Sequence, residues 1–495
     1  MLCYSSGEFL RDWRYAVAQD LITSHQEPYP YAHDGKLQWG NEINKITFKK
    51  QPHLGHVSSD GRYLALAVKC DIHIIHTESW DTVALLKGHT SKINGLAFKP
   101  DDANVLVSSG EQQYDRHDET EPPIIIVWNI EKERAAVGIN DESLKAVTSS
   151  AISTAVDKLA EYGINLDSDE LHGLEAAFDP AMNHAVAKHM TIGKTIIVGR
   201  LGSSFQSQIF SPSGKWMTCL PGEIPPSNGN APWDIKIVSA NDFQERLLLK
   251  GHTDAIMWTG WSPDETLFAS VAWDCSIRIW DAETGREKHC FETKGQNWTG
   301  AFSADSSYFA ATDGTGNVWV YSLLSDGLIH WVYEAKPNDG WRRTIHWHPN
   351  GKWLAVGGEQ SGELLLLDVE EKKLLQKRLL SVDNCTREKE VRSIMKSFVG
   401  TQDVKFVDGG NKLAVWTFGD WSIEVYDINQ QVKWRFARGG TEDGPEASKW
   451  RDEEGKVTSG GSHDMLVWED VSKGQLVLTS LDYDGVRIWG VPLTL

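Results

Sequence analysis

Short alternations of apolar and polar residues return at intervals along most of the chain. One recurring form is DIHIIH at 71–76, IIIVW at 124–128, DIKIV at 234–238, SIRIW at 276–280, NVWVY at 317–321, ELLLL at 363–367, SIEVY at 422–426 and GVRIW at 485–489. Runs of this length, bounded by Gly, Asp, Asn and Ser, read as β-strands. A second form, an apolar run closed by a turn, precedes most of them: AFKPDD from 97, IFSPSG from 209, GWSPDE from 260, AFSADS from 301, HWHPNG from 346 and KFVDGG from 405. The clearest interval predicts strand, hairpin, strand, tight turn, strand over Ala255–Trp261, Thr266–Ala272 and Ile277–Trp280, with the turn at 262–265. Eight returns predict eight sheet units in an all-β fold. There are seven if the weakly patterned region 190–250 is not a full unit, and nine if 177–180 and 195–198 belong to one more.

The stretch Gly251–Asp281 carries every feature of the unit. It opens on Gly251-His252, closes on Trp280-Asp281 and has Asp274 before its last strand, and so resembles one WD40 repeat from end to end. The resemblance implies a β-propeller in which His252, Ser270, Asp274 and Trp280 form a buried hydrogen-bonded tetrad. Buried polar groups are costly unless fully paired, so such a chain selects one packing of its blade. Other units keep parts of the pattern: Gly88-His89 and Trp128-Asn129 in the second, and Ser480, Asp484 and Trp489 in the eighth. Cys70, Thr315 and Ser361 stand where the first, fifth and sixth need the Asp.

The two ends of the chain bear on closure. The last unit supplies three strands, at Met465–Trp468, Gln475–Leu481 and Val486–Trp489, and then the chain stops, while 44–50 reads as a strand ahead of the first unit. Closing a ring removes exposed sheet edges, so the N-terminal strand is expected to complete the last blade of a single propeller over 41–495. Ahead of it, residues 1–40 read as a helix and linker, with Phe9, Trp13, Val17 and Leu21 on one stripe at four-residue spacing.

In the WD40 arrangement, connections between second and third strands and those between blades open on one face. The segments 111–123, 221–232, 140–190, 381–400 and 439–461 are all placed there by the spacing, which predicts one elaborated recognition face opposite a plain one. The insertion 140–190 reads as mainly helical. Asp141 is placed to cap a first helix, Asp167 with Glu170 forms a capping box for a second, and Asp179-Pro180 starts a third. By the same resemblance the residue before the turn Asp points up from the elaborated face, which makes Trp273 and Tyr483 the candidate partner contacts.

Composition narrows the function. The chain has 495 residues, 40% of them apolar, and a formal net charge of −20, which opposes binding to phosphate backbones and leaves basic peptide tails as the charged partner it would favour. Arg11, Asp12 and Arg14 break the N-terminal apolar run, so a signal peptide is not expected, and no run approaches a membrane span. Six cysteines without a CxxC pair suit a reducing compartment, cytoplasmic or nuclear. No catalytic, cofactor or metal motif is present; His346 and His348 share a strand face, but without a third ligand nearby in sequence. The expectation is a non-enzymatic, intracellular, eukaryotic-type scaffold that binds protein partners. An enzyme or small-molecule binder using the central funnel, and a reader of basic tails, are the alternatives.

Overall fold

The computed structural model describes residues 16–38, 42–110, 123–137, 141–174, 176, 194–202, 206–222, 224–225, 231–324, 327–337, 339–381, 399–418, 422–437, 465–482 and 485–494. Among the described residues eight sheets succeed one another along the chain, antiparallel but for one N-terminal strand added to the seventh. Their first strands contact those of adjacent blades, and that of blade eight (Met465–Asp470) meets that of blade one (Leu54–Val57), so the sheets close into an eight-bladed propeller. The burial pattern follows the strand order. Second strands such as Tyr63–Val68 and Leu267–Ala272 are buried along their whole length, because neighbouring blades cover both faces. The outer strand Glu287–Glu292 of blade four is largely exposed and correspondingly polar.

Blade three departs from the four-strand plan. Its sheet has three strands, Trp216–Cys219, Trp233–Ser239 and Glu245–His252. The segment in the innermost position touches them through the bridge between Phe210 and Met217. Thr218 N donates to Ile209 O (2.7 Å) and Ser211 N to Trp216 O (2.9 Å) beside that bridge, and blade four holds the segment from the other side: Gln208 N donates to Thr259 O (2.8 Å), Trp261 N to Gln208 Oε1 (2.9 Å) and Thr259 N to Ser207 Oγ (3.1 Å). Backbone donors that a strand would have paired are thus satisfied by side chains.

The N-terminal segment is strand where a helix is expected. Ala16–Gln19 pairs antiparallel with the outer strand of blade six, Lys373–Ser381, and Tyr31–Gln38 runs parallel to the outer strand of blade seven, Val432–Ala437. Leu21 and Tyr29 are buried between those blades. The free hydrogen-bonding edges of two blades recruit this backbone, and a four-residue spacing read locally carries no information about them. Phe9 and Trp13 lie outside the described residues.

The helical insertion is also displaced from its expected face. Lys194–Val198 pairs with Ile124–Trp128 and is therefore the fourth strand of blade two, not a third strand of another unit. The segment 130–193 then joins third and fourth strands and leaves from the face opposite to the other long connections. Helix α1 (Ile130–Val137) packs on the outer strand of blade one, and α2 (Asp141–Glu161) follows with most of its described side chains exposed. Beyond it, Asp167 Oδ1 accepts from Glu170 N (2.9 Å) while Glu170 Oε2 accepts from Asp167 N (3.0 Å), a capping box that starts a helical turn at 168–174. Residues 177–193, which include the third expected helix, lie outside the described residues.

Closure occurs in blade eight, where Asn44–Thr47 pairs antiparallel with Gly485–Pro492. Gly485 has φ 148°, and a Cβ there would stand 2.0 Å from Ile46 O on the closing strand. Gly485→Ala is expected to destabilise the protein by about 2–3 kcal/mol, the scale of a backbone clash in a core element. Gly474→Ala, at φ 63° with nothing within 4 Å, costs about 1 kcal/mol for conformation alone. Urea midpoints of the two variants measure the difference, and equal losses would show that closure does not depend on this contact.

Candidate functional site

The tetrad of blade four is built. Trp280 Nε1 donates to Ser270 Oγ (3.0 Å), Ser270 Oγ lies 2.7 Å from His252 Nε2, and His252 Nδ1 lies 2.8 Å from Asp274 Oδ2. An indole N–H only donates and a carboxylate only accepts, so the chain runs Trp to Ser to His to Asp. Thr253 N and Ser276 N also donate to Asp274 (3.0 and 2.9 Å). Burial works against ionisation of Asp274, but the hydrogen bonds and charge at His252 outweigh it and hold its carboxyl at about 2. These four side chains link the outer strand of blade three to the second strand, the turn after it and the third strand of blade four.

Other blades solve the same problem differently. In blade two His89 Nε2 lies 2.7 Å from Ser108 Oγ, which accepts from Trp128 Nε1 (2.8 Å), reproducing the inner part of the chain. In blade five Asp313, at the end of the second strand, accepts from Trp319 Nε1 (2.8 Å) and from Thr315 N and Oγ1 (2.9 and 2.6 Å). In blade six the buried Arg342 donates to Glu363 (2.9 Å), which also receives Lys377 (2.6 Å). Between blades six and seven Arg378 is paired with Glu424, with Tyr426 Oη donating to the same carboxylate (2.8 Å).

Above this layer the structure gathers aromatic rings that are far apart in sequence. Trp273 directly follows the second strand of blade four, Trp298 is the second residue of the first strand of blade five, and Trp341 precedes the first strand of blade six. By strand direction all three are on the face that carries the between-blade connections. Trp273 meets Trp298 edge-on with centroids 5.4 Å apart, and Trp298 meets Trp341 at 4.9 Å. The Arg343 guanidinium stands 4.2 Å from the Trp298 ring and 4.9 Å from the Trp341 ring, and its Nε is 2.8 Å from Glu359 Oε1. Burial lowers the Arg343 pKa and raises that of Glu359, against the attraction between them.

The two candidate contacts named from sequence fare differently. Trp273 is half-buried and packs against the core between blades three and four, so its ring does not stand free of the face. Tyr483, like Asp484, lies outside the described residues. Trp341, at 42% exposure, is the open end of the aromatic series and was missed by sequence reasoning. Its position in a between-blade connection was the available signal. The strand ends flanking 111–122, 382–398 and 438–464 open on this same face, though those segments themselves lie outside the described residues.

Around the centre, side chains join neighbouring inner strands. His56 Nδ1 accepts from Phe98 N and His346 Nδ1 from Phe406 N, both at 3.4 Å, and Thr344 Oγ1 accepts from Val404 N (3.3 Å). His348 turns away and binds Gly410 O (3.0 Å) and Asn350 N (2.9 Å). Gln206 of blade three bonds to Asp403 of blade seven, so groups from opposite blades meet. Burial raises the Asp403 pKa despite Lys405 at 3.0 Å. Among the described residues no three His, Cys, Asp or Glu side chains are grouped to hold a metal.

Burial, with Lys405 adding to it at His56 and His346 and Lys194 at His89, pushes all three imidazoles down to about 4. They are neutral when folded and regain the ordinary value of 6.5 when unfolded, so the unfolded chain binds more protons in between. Stability is therefore complete above pH 6.5 and is lost as pH falls toward 4, by up to about 2 kcal/mol per histidine at pH 5. Urea titrations at pH 7 and 5 test this; His346→Gln should reduce the pH slope, and an unchanged slope would refute that histidine's part.

Comparison with known proteins agrees with the repeat pattern. A family profile described as "WD domain, G-beta repeat" matches residues 80–116 and 243–281, and "Anaphase-promoting complex subunit 4 WD40 domain" matches 301–394. A ribosome biogenesis protein WDR12 homolog of Oryza sativa subsp. japonica is 26% identical over 120 residues, 24% of this chain and 27% of its own length. Protein HIR1 of Cryptococcus neoformans is 26% identical over 156 residues, 30% of this chain and 17% of the relative. The chain thus spans under a third of the length of these relatives. Among solved structures, Saccharomyces cerevisiae Sqt1 superposes with a TM-score of 0.58 at 10% identity, covering 91% of this chain and 99% of that one. Chaetomium thermophilum Sqt1 bound to the N-terminus of the ribosomal protein L10 gives 0.55 at 13% identity, covering 91% and 100%.

Proposed function

We propose that this chain, a WD40-repeat β-propeller of eight blades, is a non-catalytic scaffold that binds protein partners through the face carrying Trp273, Trp298 and Trp341. The single observation that supports this reading most is the stair of three tryptophans across blades four to six, ending in the exposed Trp341 and braced by Arg343. Rigid aromatic anchors beside an arginine are the side chains most enriched at interface hot spots, because they bring large contact area with little conformational freedom to lose. The solved relative in fold that holds the N-terminus of another protein is a further support: a ring of this architecture takes a protein segment as its partner.

The same reading places the protein inside the cell, in cytoplasm or nucleus. Relatives described as a ribosome biogenesis protein, Protein HIR1 and a subunit of transcription initiation factor TFIID point that way. Among the described residues no helix is long and apolar enough to cross a membrane. Use of the central funnel for chemistry has less behind it. His56, His346 and Asp403 are engaged in bonds that join the inner strands, and the tetrad serves packing.

Affinity purification of the tagged protein from its own cells, with bound proteins and small molecules both identified, tests the proposal. Trp341→Ala is expected to weaken capture of the bound partner by about tenfold or more while leaving the urea midpoint unchanged, the scale of one aromatic hot spot. Trp273→Ala should weaken capture too, but with a loss of about 2 kcal/mol in stability, since its ring is packed against the core. A protein that purifies alone with a stoichiometric metal or cofactor would refute the scaffold reading.

A further inference from the structure

The opposite face carries a second feature, at the seam where the ring closes. An open groove of about 890 Å³ lies between blades eight and one, lined by the turns at 58–62 and 77–80 and by 467–473. All of these join first to second or third to fourth strands, so the groove opens on the face from which the helical insertion also leaves. It cannot be the site of the tryptophan stair.

Trp80 and Trp468 are both among the lining residues, 6.3 Å apart by centroid. Trp80 has φ 62°, the left-handed conformation that blade four gives to Gly285 at the matching turn position. A bulky residue held there is strained by about 1 kcal/mol relative to glycine. Packing against Trp468 and the closing strands offsets that strain. Gly61, at φ 70°, leaves room beside it: a Cβ would already touch the Trp468 ring at 3.4 Å. Neither indole N–H has a protein acceptor among the described residues, and both rings are only half-buried. Ile43 and Val471, 58% and 77% exposed, are apolar side chains also among the lining residues.

The charge around this apolar floor is unequal. Asp60 is paired with Arg62, and Asp470 with Lys473 (3.0 Å). Glu78 and Glu469 add two carboxylates without a matching cation among the lining residues, and Glu469 is spent on one neutral donor, Asp408 N (2.8 Å). The surplus is negative. Apolar rings, unused N–H donors that suit backbone carbonyls, and surplus carboxylates describe one ligand chemistry.

We propose that this groove docks a short extended segment of a partner protein, one that sets an apolar side chain between lysine or arginine residues. The apolar side chain lies on Trp80 and Trp468, carbonyls of the segment accept from the indoles, and its cations meet Glu78 and Glu469. With the stair on the other face, the ring then holds two partners at once and joins them across its thickness.

Fluorescence anisotropy with the full chain tests this. The probe is a labelled pool of short peptides with a fixed Lys-Leu-Arg centre and random flanks, against a pool centred on Glu-Leu-Glu. Trp80→Gly removes the ring, leaves the net charge unchanged and suits the φ of that turn, so with a urea midpoint showing the variant folded at the assay conditions, weakened binding reports the groove and not general attraction to an acidic protein. Val471→Lys, at a mostly exposed position on the groove, adds a repelling charge. The basic pool is expected to bind the wild type saturably and each variant about tenfold or more weakly, while Trp341→Ala binds as wild type and the acidic pool does not bind. Absence of saturable binding, equal binding of both pools, or binding unchanged by Trp80→Gly and Val471→Lys would overturn the proposal. So would self-association in sedimentation that Val471→Lys abolishes, since the occupant would then be a second copy.

Discussion

The whole ring depends on one antiparallel pairing. Asn44–Thr47 supplies the outer strand to three strands from the last residues of the chain. Without it blade eight would end in an open edge, and every other blade, packed between two neighbours, would lose the constraint that keeps the set circular. The cost is a contact between segments separated by nearly the entire chain. Arg487 and Glu42 add an ion pair at the same seam, and Gly485 lets the two backbones approach. Deeper in the structure, Leu21 and Tyr29 tie the N-terminal segment between blades six and seven.

Within the ring, each blade has to satisfy polar groups where strands of different blades meet, and the blades differ in how they do it. Blade four uses a hydrogen-bonded relay ending on a carboxylate, blade five a carboxylate that receives the indole directly, and blades six and seven use buried ion pairs. The partners are fully shielded in Arg378 and Glu424, so leaving either unpaired would be costly. These solutions are not interchangeable residue by residue. Where they cross from one blade to the next, as His252 to Asp274 and Arg378 to Glu424 do, they favour one neighbour over another, an assignment that apolar packing of similar sheets would leave open.

The two faces acquire different character from this layout. One carries rings drawn from three successive blades, and the other carries the closure seam and a helical excursion from blade two. Strand parity decides the division: every connection from an odd strand to the next within a blade opens on one side, and every remaining connection on the other. A single strand assigned to the wrong place in its blade therefore moves an insertion across the whole molecule, as it does for 130–193.

Alternation and turn residues by themselves determined the eight third strands and the strand near residue 44, because period-two burial and a fixed spacing are local properties of the chain, while the tetrad of blade four was implied by the resemblance of Gly251–Asp281 to a WD40 repeat. The capping box at Asp167 and Glu170 was legible for the same reason. Tertiary structure alone decided that 16–19 is a strand, since the edge it pairs with lies more than 350 residues away. It also decided that 194–198 returns to blade two across a long insertion, and that Trp273, Trp298 and Trp341 form one series. Those outcomes rest on which edges are free and which blades are neighbours, and both exist only once the ring is closed.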